Sequence, residues 1–393
     1  MNKTFLYILL FLVLPYSGFS QDSFELDVFR GQPVNYQGRP GIDKDAIQTQ
    51  QGRLVYKKIQ VPKYAEGSDV HLKLRLKSMG DRWDKSGSCF VVSDPELISI
   101  LDIADKGKEF PVESGVLSRF LGIRPASDYL PVVELIRFVT PFGAGYYSDN
   151  NEGHRKPVYI PKWENEIVWE KDISHLLTVM EGEIYVGVWI DTWTKEGFEF
   201  DLSLYYSGRK DVLRQVKPLV NTIGYVKGQN LPEFFADTTL SHIFSIEKKV
   251  KNAKMYFITS GHGGHSGGDE FSRKKNQVWL DGISVLDTIP WRDDCASFRR
   301  YNPTSGVWLK KDSASYIDFE ARKYKVKEIE ERMASSDLSR SNWCPGSMVE
   351  PFIIHIGDLE PGSHQIEIAI DAAQAEKEKY NHWLVSAYLI FEE

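Results

Sequence analysis

Cysteine is scarce in this chain of 393 residues: Cys89, Cys295 and Cys344 are the whole supply. Three thiols allow one disulfide and leave one over, and the sequence alone does not choose the pair. A cysteine nucleophile is disfavoured, because cysteines of exported proteins usually pair and Cys89 has no histidine near it in sequence. Basic excess is missing too. The net charge of -7 excludes a nucleic-acid partner, which needs basic stripes to neutralise phosphates. Apart from the first twenty residues, no stretch is apolar enough to cross a bilayer. The one such run, Phe5 to Leu14, follows Lys3 and precedes Pro15 and Gly18-Phe19-Ser20. It is too short for a comfortable span and has the order of a secretory signal, with cleavage expected after Ser20. No cysteine follows directly, so no lipid or other membrane anchor is expected, and the product is secreted or periplasmic. No Gly-x-Ser-x-Gly elbow stands after a strand and before a helix, and the chain lacks a phosphate-binding glycine loop and a nucleotide fingerprint, which removes serine-hydrolase and nucleotide-binding readings.

Aromatic residues, by contrast, make up 13% of the chain, with 10 Trp and 19 Tyr. Their flat faces suit sugar rings as well as β-sheet cores. Period-two alternation in Val70-His71-Leu72-Lys73-Leu74-Arg75-Leu76-Lys77 predicts a strand with one wet face. Further strands are expected at Glu134–Thr140, Val158–Trp163, Glu183–Ile190 and Phe198–Tyr206, the last two joined by a hairpin connection, Asp191 to Gly197. Short strands resume at Leu240–Ile246, Lys254–Thr259, Gln277–Leu280, Phe352–Ile356, His364–Ile370 and His382–Phe391. Residues 92–130 read as an insertion with a short helix. Ile317, Ala321, Tyr324, Val326, Ile329 and Met333 recur at near-helical spacing, so a surface helix is expected over 317–334. Short strands with regular turn signals make the chain all-β, two sandwiches side by side. The expected division is a signal (1–20), an extended lead-in with one or two edge strands (21–65), a first domain (66–208) and a second (209–393).

The densest candidate for a site is Ser260 to Glu270, where five of eleven residues are glycine. Such a loop lets the backbone take positive φ and admits close approach. It carries His262, His265, Asp269 and Glu270. The two histidines are three apart in a loop that cannot be helical, unlike a zincin pair at i and i+4, so no metal and no cofactor is expected. Two further acids neighbour tryptophan: Asp84 follows Trp83, and Asp191 stands two before Trp193. A tryptophan beside a carboxylate can stack a sugar ring and hydrogen-bond its hydroxyls.

Taken in order, these stretches resemble one family. Trp83-Asp84, Arg137-Phe138-Val139-Thr140-Pro141-Phe142, Asp191-Thr192-Trp193, Phe200 to Tyr206, Ser260-Gly261 with Glu270, and Arg340-Ser341-Asn342-Trp343-Cys344-Pro345-Gly346 are similar, over roughly residues 55–393, to the peptide:N-glycosidase F family. These are bacterial secreted amidases that remove asparagine-linked glycans. The resemblance implies two antiparallel jelly-roll domains with the cleft where they meet, and a monomer acting on N-glycosylated proteins or peptides. It implies Asp84 as the principal catalytic residue, with Asp191 and Glu270 at the positions of two further acids. Trp193 matches a cleft tryptophan, and Arg340 and Trp343 match cleft-lining residues. Trp83, Lys85 and His262 complete the expected substrate contacts. The resemblance also implies a Cys295–Cys344 disulfide, leaving Cys89 free. The chain departs from the type member in carrying Lys85 for an arginine and Asp191 for a glutamate. A second expectation, from another class, is a non-catalytic glycan-binding protein on the same fold, which would need the tryptophans but not the three acids.

Overall fold

The computed structural model describes residues 23–41, 43–63, 68–112, 120–146, 160, 162–208, 212–229, 232–263, 268–303, 307–371 and 382–392. The expected signal lies outside them, as do Val158, Tyr159 and Pro161 of one expected strand.

The first half supplies β1 (Ser23–Val34), β2 (Ile47–Thr49), β3 (Leu54–Val61), β4 (Asp69–Ser78), β5 (Ser86–Val91), α1 (Ile100–Lys106), β6 (Val133–Val139), β7 (Glu166–Asp172), β8 (Gly182–Ile190) and β9 (Phe198–Ser207). The second supplies β10 (Gln215–Asn221), β11 (Leu240–Ile246), β12 (Val250–His262), β13 (Asn276–Leu280), β14 (Ile283–Thr288), β15 (Val307–Asp318), β16 (Lys323–Ala334), β17 (Met348–Val349), β18 (Phe352–Leu359), β19 (Gly362–Ile370) and β20 (His382–Glu392). The sheet orders are β1-β9-β4-β7 and β17-β6-β5-β8-β3-β2, then β10-β20-β12-β18 and β11-β19-β13-β14, with β15-β16 a separate ribbon.

Alternation builds these layers. In β4, Val70, Leu72, Leu74 and Leu76 enter the core, while Lys73 and Arg75 face water and pair across the strands with Glu170, Asp201 and Glu166. One core fills the first sandwich and a second lies between the two sheets of the second. A third cluster gathers Phe90 and Trp189 of the six-stranded sheet, Tyr129, Tyr225 and Leu384, and the helix residues Ile100 and Leu101. It packs the halves together, as do Ile258, Tyr388 and Ile390 of the second half, which join the first core. Helix α1, the one expected in the 92–130 insertion, starts with a capping box of Ser99 and Asp102.

Three expectations are corrected. Residues 317–334 form no surface helix; they belong to the β15–β16 ribbon, paired in register from Val307↔Ala334 to Asp318↔Lys323. Lys323, Lys325 and Lys327 alternate with Tyr324 and Val326, and that period-two signal, with β-branched and aromatic residues, prevails over the looser helical spacing. Arg322, at φ 51, completes the turn. Secondly, Asp191–Gly197 is not a hairpin connection. β8 lies between β5 and β3, and β9 between β1 and β4, so the segment crosses from one sheet of the sandwich to the other. It lacks the two-residue Asn-Gly type of turn that would fold β9 back on β8. Thirdly, residues 21–65 are built into the first sandwich: β1 and β2 are edge strands, as expected, but β3 pairs with β8 inside the larger sheet.

The two sandwiches are joined through β6, every residue of which is buried. Residues three apart on a strand normally point to opposite faces. A register shift against β5, where Cys89 pairs Ile136 and Phe90 pairs Glu134, leaves Leu135 as the extra residue of a bulge. It brings Glu134 and Arg137 to one face, where they form an ion pair with side chains 0% and 1% exposed. The guanidinium also donates to the Leu384 carbonyl at 2.6 Å and to the Ser386 hydroxyl at 3.1 Å, both on β20. Glu134 accepts from Ser88 Oγ at 2.7 Å, and Ser88 Oγ lies 2.9 Å from the Tyr225 hydroxyl. Removing one member of such a pair strands the other in low dielectric. Arg137→Met is expected to cost about 3–5 kcal/mol in equilibrium denaturation, and Glu134→Leu added to it recovers part of the loss; a single variant with the wild-type midpoint would contradict this role.

Candidate active site

The loop between β4 and β5 holds Trp83, Asp84 and Lys85. Its anchor is Asp81, which the sequence reading passed over. Fully buried, Asp81 accepts from the Trp83 amide at 3.0 Å and from Thr192 Oγ1 at 2.7 Å. The first bond is an Asx-type turn, fixing the backbone just ahead of Asp84; the second ties that loop to the Asp191–Trp193 segment. Two further bonds complete the alignment: the Lys85 amide donates to Thr140 Oγ1 at 2.8 Å and the Asp191 amide to the Ser86 carbonyl at 3.0 Å. Asp84 and Asp191 therefore emerge side by side from the ends of β5 and β8.

Glu270 comes from the second half. It sits in a single 3-10 turn, Asp269–Phe271, beyond the end of β12. Arg340 Nε donates to its Oε1 at 2.7 Å, and Arg340 Nη1 and Nη2 are taken by the carbonyls of Leu338 at 2.7 Å and Ser335 at 3.1 Å. The guanidinium lies between the rings of Phe271 and Trp343, about 5 Å from each. Arg340 thus holds Glu270 rather than offering a free fork to a ligand.

Asp84 of the first half and Glu270 of the second lie close enough for the charge on Asp84 to act on Glu270. Burial raises the Asp84 carboxyl, against the pull of Arg340 and Lys85, and Asp81 adds to the rise. Burial raises Glu270 to about 7, opposed by Arg340 and reinforced by the charge on Asp84. Two carboxyls that feel one another in a desolvated site do not both ionise readily, so the pair retains a proton near neutral pH. Asp191 is different. Its side chain is 45% exposed, yet it lies in a recess where desolvation raises it against Lys85, Arg53 and His382. Its Oδ1 accepts from Trp193 Nε1 at 3.0 Å and from Arg53 Nη1 at 3.1 Å. Arg53, also missed in the sequence, stacks on Trp193 at 3.9 Å; its only signal was a cation at the start of β3.

Of the expected substrate contacts, Trp83 and Trp193 are 44% and 54% exposed, with faces open at the rim. The charge of Lys85 acts on both Asp84 and Asp191. Three others lie in the wall behind the rim. His262 is buried between Trp343 and His382, with Nε2 2.9 Å from Ser260 Oγ and Nδ1 3.4 Å from Ser86 Oγ. Burial lowers its pKa well below the ordinary imidazole value, so it is a neutral strut between β12 and the Asp84 loop. Trp343 is 3% exposed and donates its indole N–H to the Gly261 carbonyl at 2.7 Å. Arg340 is fixed as above. Gly261 lets Trp383 and Ser341 pack close to the backbone here, since a Cβ would meet them at 2.8 Å and 2.9 Å. His265 and most of the glycine loop, residues 264–267, lie outside the described residues.

Cys295 and Cys344 are joined, with Cα atoms 5.1 Å apart across a separation of 49 residues. In the loop-entropy account such a closure stabilises by about 4 kcal/mol, and it pins the Trp343 wall. Cys89 is free and buried, and burial pushes its thiol up. Among the described residues, no group of three His, Cys, Asp or Glu is placed to hold a metal ion, and no helix is long and apolar enough to cross a membrane.

A carboxyl raised on folding favours the fold only while protonated. Its contribution is complete below about pH 4.5 and is lost as pH rises through about 7. Wild-type stability is therefore expected to fall across that window by on the order of 3 kcal/mol through Glu270. Glu270→Gln keeps the Arg340 contact and flattens the fall. Urea denaturation of both proteins at several pH values measures it; parallel profiles would contradict the assignment.

Compared with curated protein sequences, the chain has no match. Two family models match it: Peptide-N-glycosidase F, N terminal, over residues 25–206, and Peptide-N-glycosidase F, C terminal, over residues 230–390. Among solved structures, PNGF-II in its C2 and P21 space groups is 30% and 31% identical, with a TM-score of 0.78 for each. This chain is covered to 95%, but it spans only 66% of the length of PNGF-II. Recombinant peptide: N-glycanase F is 12% identical, with a TM-score of 0.57 and 95% and 96% of the two chains covered. PNGase F, a glycosylasparaginase from Flavobacterium meningosepticum, is 13% identical, with a TM-score of 0.56 and 94% and 96% covered. These last two share the fold. With two family models covering most of its length, the chain belongs to the peptide-N-glycosidase F family.

Proposed function

We propose that the protein is an amidase that hydrolyses the bond between an asparagine side chain and N-acetylglucosamine, releasing N-linked glycans from glycoproteins or glycopeptides. The observation that carries this reading is the Asp84–Glu270 pair, one acid from each half of the chain, both raised and each sensitive to Arg340. Amide hydrolysis needs a base for the attacking water and a proton for the departing nitrogen. A pair holding one proton supplies both, because repulsion keeps one member ionised and the other neutral. Asp84 receives no hydrogen bond from another side chain among the described residues, and it takes the proton of the attacking water. Glu270, held through Oε1 by Arg340, returns a proton to the leaving nitrogen. The amide C–N bond breaks, the asparagine becomes an aspartate, and the sugar leaves as a glycosylamine. Asp191, Trp193 and Trp83 hold the sugar at the rim. Lys85 balances the charge of Asp84 and Asp191.

We place this activity outside the cytoplasm, in a monomeric chain. The Cys295–Cys344 disulfide supports an oxidising compartment.

Incubating an N-glycopeptide with the protein and weighing the product tests the reading. Conversion of the asparagine to aspartate adds about one mass unit, and Asp84→Asn and Glu270→Gln each lower the rate by roughly 10²–10⁴-fold. Binding of the glycan without any release favours the non-catalytic alternative. Full activity in Asp84→Asn overturns the assignment of Asp84.

A further inference from the structure

The β15–β16 ribbon stands apart from both sandwiches as a sheet of its own. Its strands stay in register over twelve residues each, Val307–Asp318 against Lys323–Ala334, which makes it roughly 37 Å long at the usual rise of a strand. A two-stranded ribbon is at best marginal in water by itself, yet this one is well formed to its tip. Asp318 accepts from the amides of Glu320 at 3.0 Å and Ala321 at 2.9 Å, and also pairs with Lys325. On one face Lys327 lies over the Tyr316 ring, 5.5 Å from its centroid. On the other, Ile317 and Tyr324 are direct partners and Val326 follows on the same side. Their exposures are 47%, 80% and 69%, and Phe319 in the turn is 84% exposed. An ordered arm with four large apolar side chains in water at its end is an interaction surface.

Its foot identifies the occupant. β16 runs directly into Ser335, and the carbonyls of Ser335 and Ser336 accept from Arg340. The same guanidinium holds Glu270, and the Cys295–Cys344 bond closes the segment from which the ribbon rises. The arm is thus an extension of the catalytic wall. A polypeptide whose glycosylated asparagine occupies the site is the ligand that a foot tied to Glu270 through Arg340 favours. Among the described residues neither strand pairs with a third, and such an edge suits an extended chain through main-chain hydrogen bonds, with apolar side chains adding contacts at the tip. The aliphatic Ile317 and Val326 fit apolar peptide side chains better than sugar hydroxyls.

We propose that the β15–β16 ribbon is a docking arm for the polypeptide portion of the substrate, gripping an unfolded, apolar stretch within about 11 residues of the modified asparagine, the number of extended residues that spans the arm. This rests on the amidase reading of the neighbouring site.

The test uses the full chain and a variant combining Ile317→Thr, Phe319→Ser, Tyr324→Thr and Val326→Thr, in which threonine preserves strand preference. Two substrates carry the same glycan: a glycopeptide of about 5 residues and one of about 25 with apolar flanks, the longer able to span the arm. The variant is expected to raise KM for the long peptide about tenfold, a change of about 1.4 kcal/mol, while kcat and all constants for the short peptide stay at the wild-type level. Equal effects on both peptides, or none, overturn the proposal. A variant that melts earlier than the wild type is replaced by Phe319→Ser alone, held to the same comparison with a smaller KM shift. Binding of the long peptide without its glycan, read by fluorescence anisotropy, separates the two claims. Arm-dependent binding by a protein that releases no sugar sustains the arm and sinks the amidase. Sugar release with arm-independent peptide binding does the reverse. Loss in the variant of binding to anionic lipid vesicles, with peptide kinetics unchanged, assigns the tip to a bilayer surface and overturns the proposal.

Discussion

The buried pair of Glu134 and Arg137 is the interaction on which the rest of the molecule depends. It sits on β6, a strand of the first sandwich's larger sheet, and its hydrogen bonds run to Ser88 on one side and to Leu384 and Ser386 of the second half on the other. A buried ion pair is a poor source of net stability, since desolvation offsets most of the attraction. What it supplies is registration. An apolar interface could slide, whereas a guanidinium with every donor committed has one position. The pair's strand ends at Val139; the next residue, Thr140, orients Lys85, and Arg137 also reaches the Ile258 carbonyl on β12, the strand that leads to Glu270. This joint fixes the halves, and with them the placing of Asp84 and Glu270 within reach of one another's charge.

Around the two acids the site has an inner and an outer part. The inner part is rigid and closed: Arg340, Trp343, His262 and the disulfide form a stacked wall that holds Glu270 and excludes water from it. The outer part is open, with Trp83 and Trp193 at the rim, and Arg53 bridging Asp191 to the Trp193 ring. Desolvation inside and flat aromatic faces outside are the opposite demands of proton transfer and of sugar binding. The fold meets them by drawing the inner groups mainly from the second half and the outer groups from the first.

Much of this was legible in the sequence where a local pattern carried it. The alternation of β4, the Trp83-Asp84 turn and the acid near each tryptophan all point to sites that the structure brings together. Other features depend on partners far away in the chain. Glu134 and Arg137 share a face only because a bulge opposite Cys89 inserts Leu135, and no pattern within β6 announces that. His262, Trp343 and Arg340 look like ligand-binding residues by type, but stacking with one another and with His382 turns them inward. The segment after Asp191 resembles a hairpin until the pairing of β8 with β5 and of β9 with β4 is known. Residues 317–334 carry both a loose helical period and a period of two, and only the complementary strand, Val307–Asp318, decides between them. Asp81, whose buried oxygens set the Asp84 loop, is one more acid in a charged turn until Thr192 is brought beside it.

The central claim is that Asp84 and Glu270 hold a proton between them at neutral pH. Infrared spectroscopy reads it directly, because ordinary carboxyls are fully ionised by about pH 6 and only strongly raised ones keep a protonated C=O band there. The account predicts such a band in the wild-type protein, with a step near the Glu270 value of about 7, and its loss or displacement in both Asp84→Asn and Glu270→Gln. A wild-type spectrum with no protonated carboxyl at about pH 6, where unperturbed acids have already ionised, would contradict it.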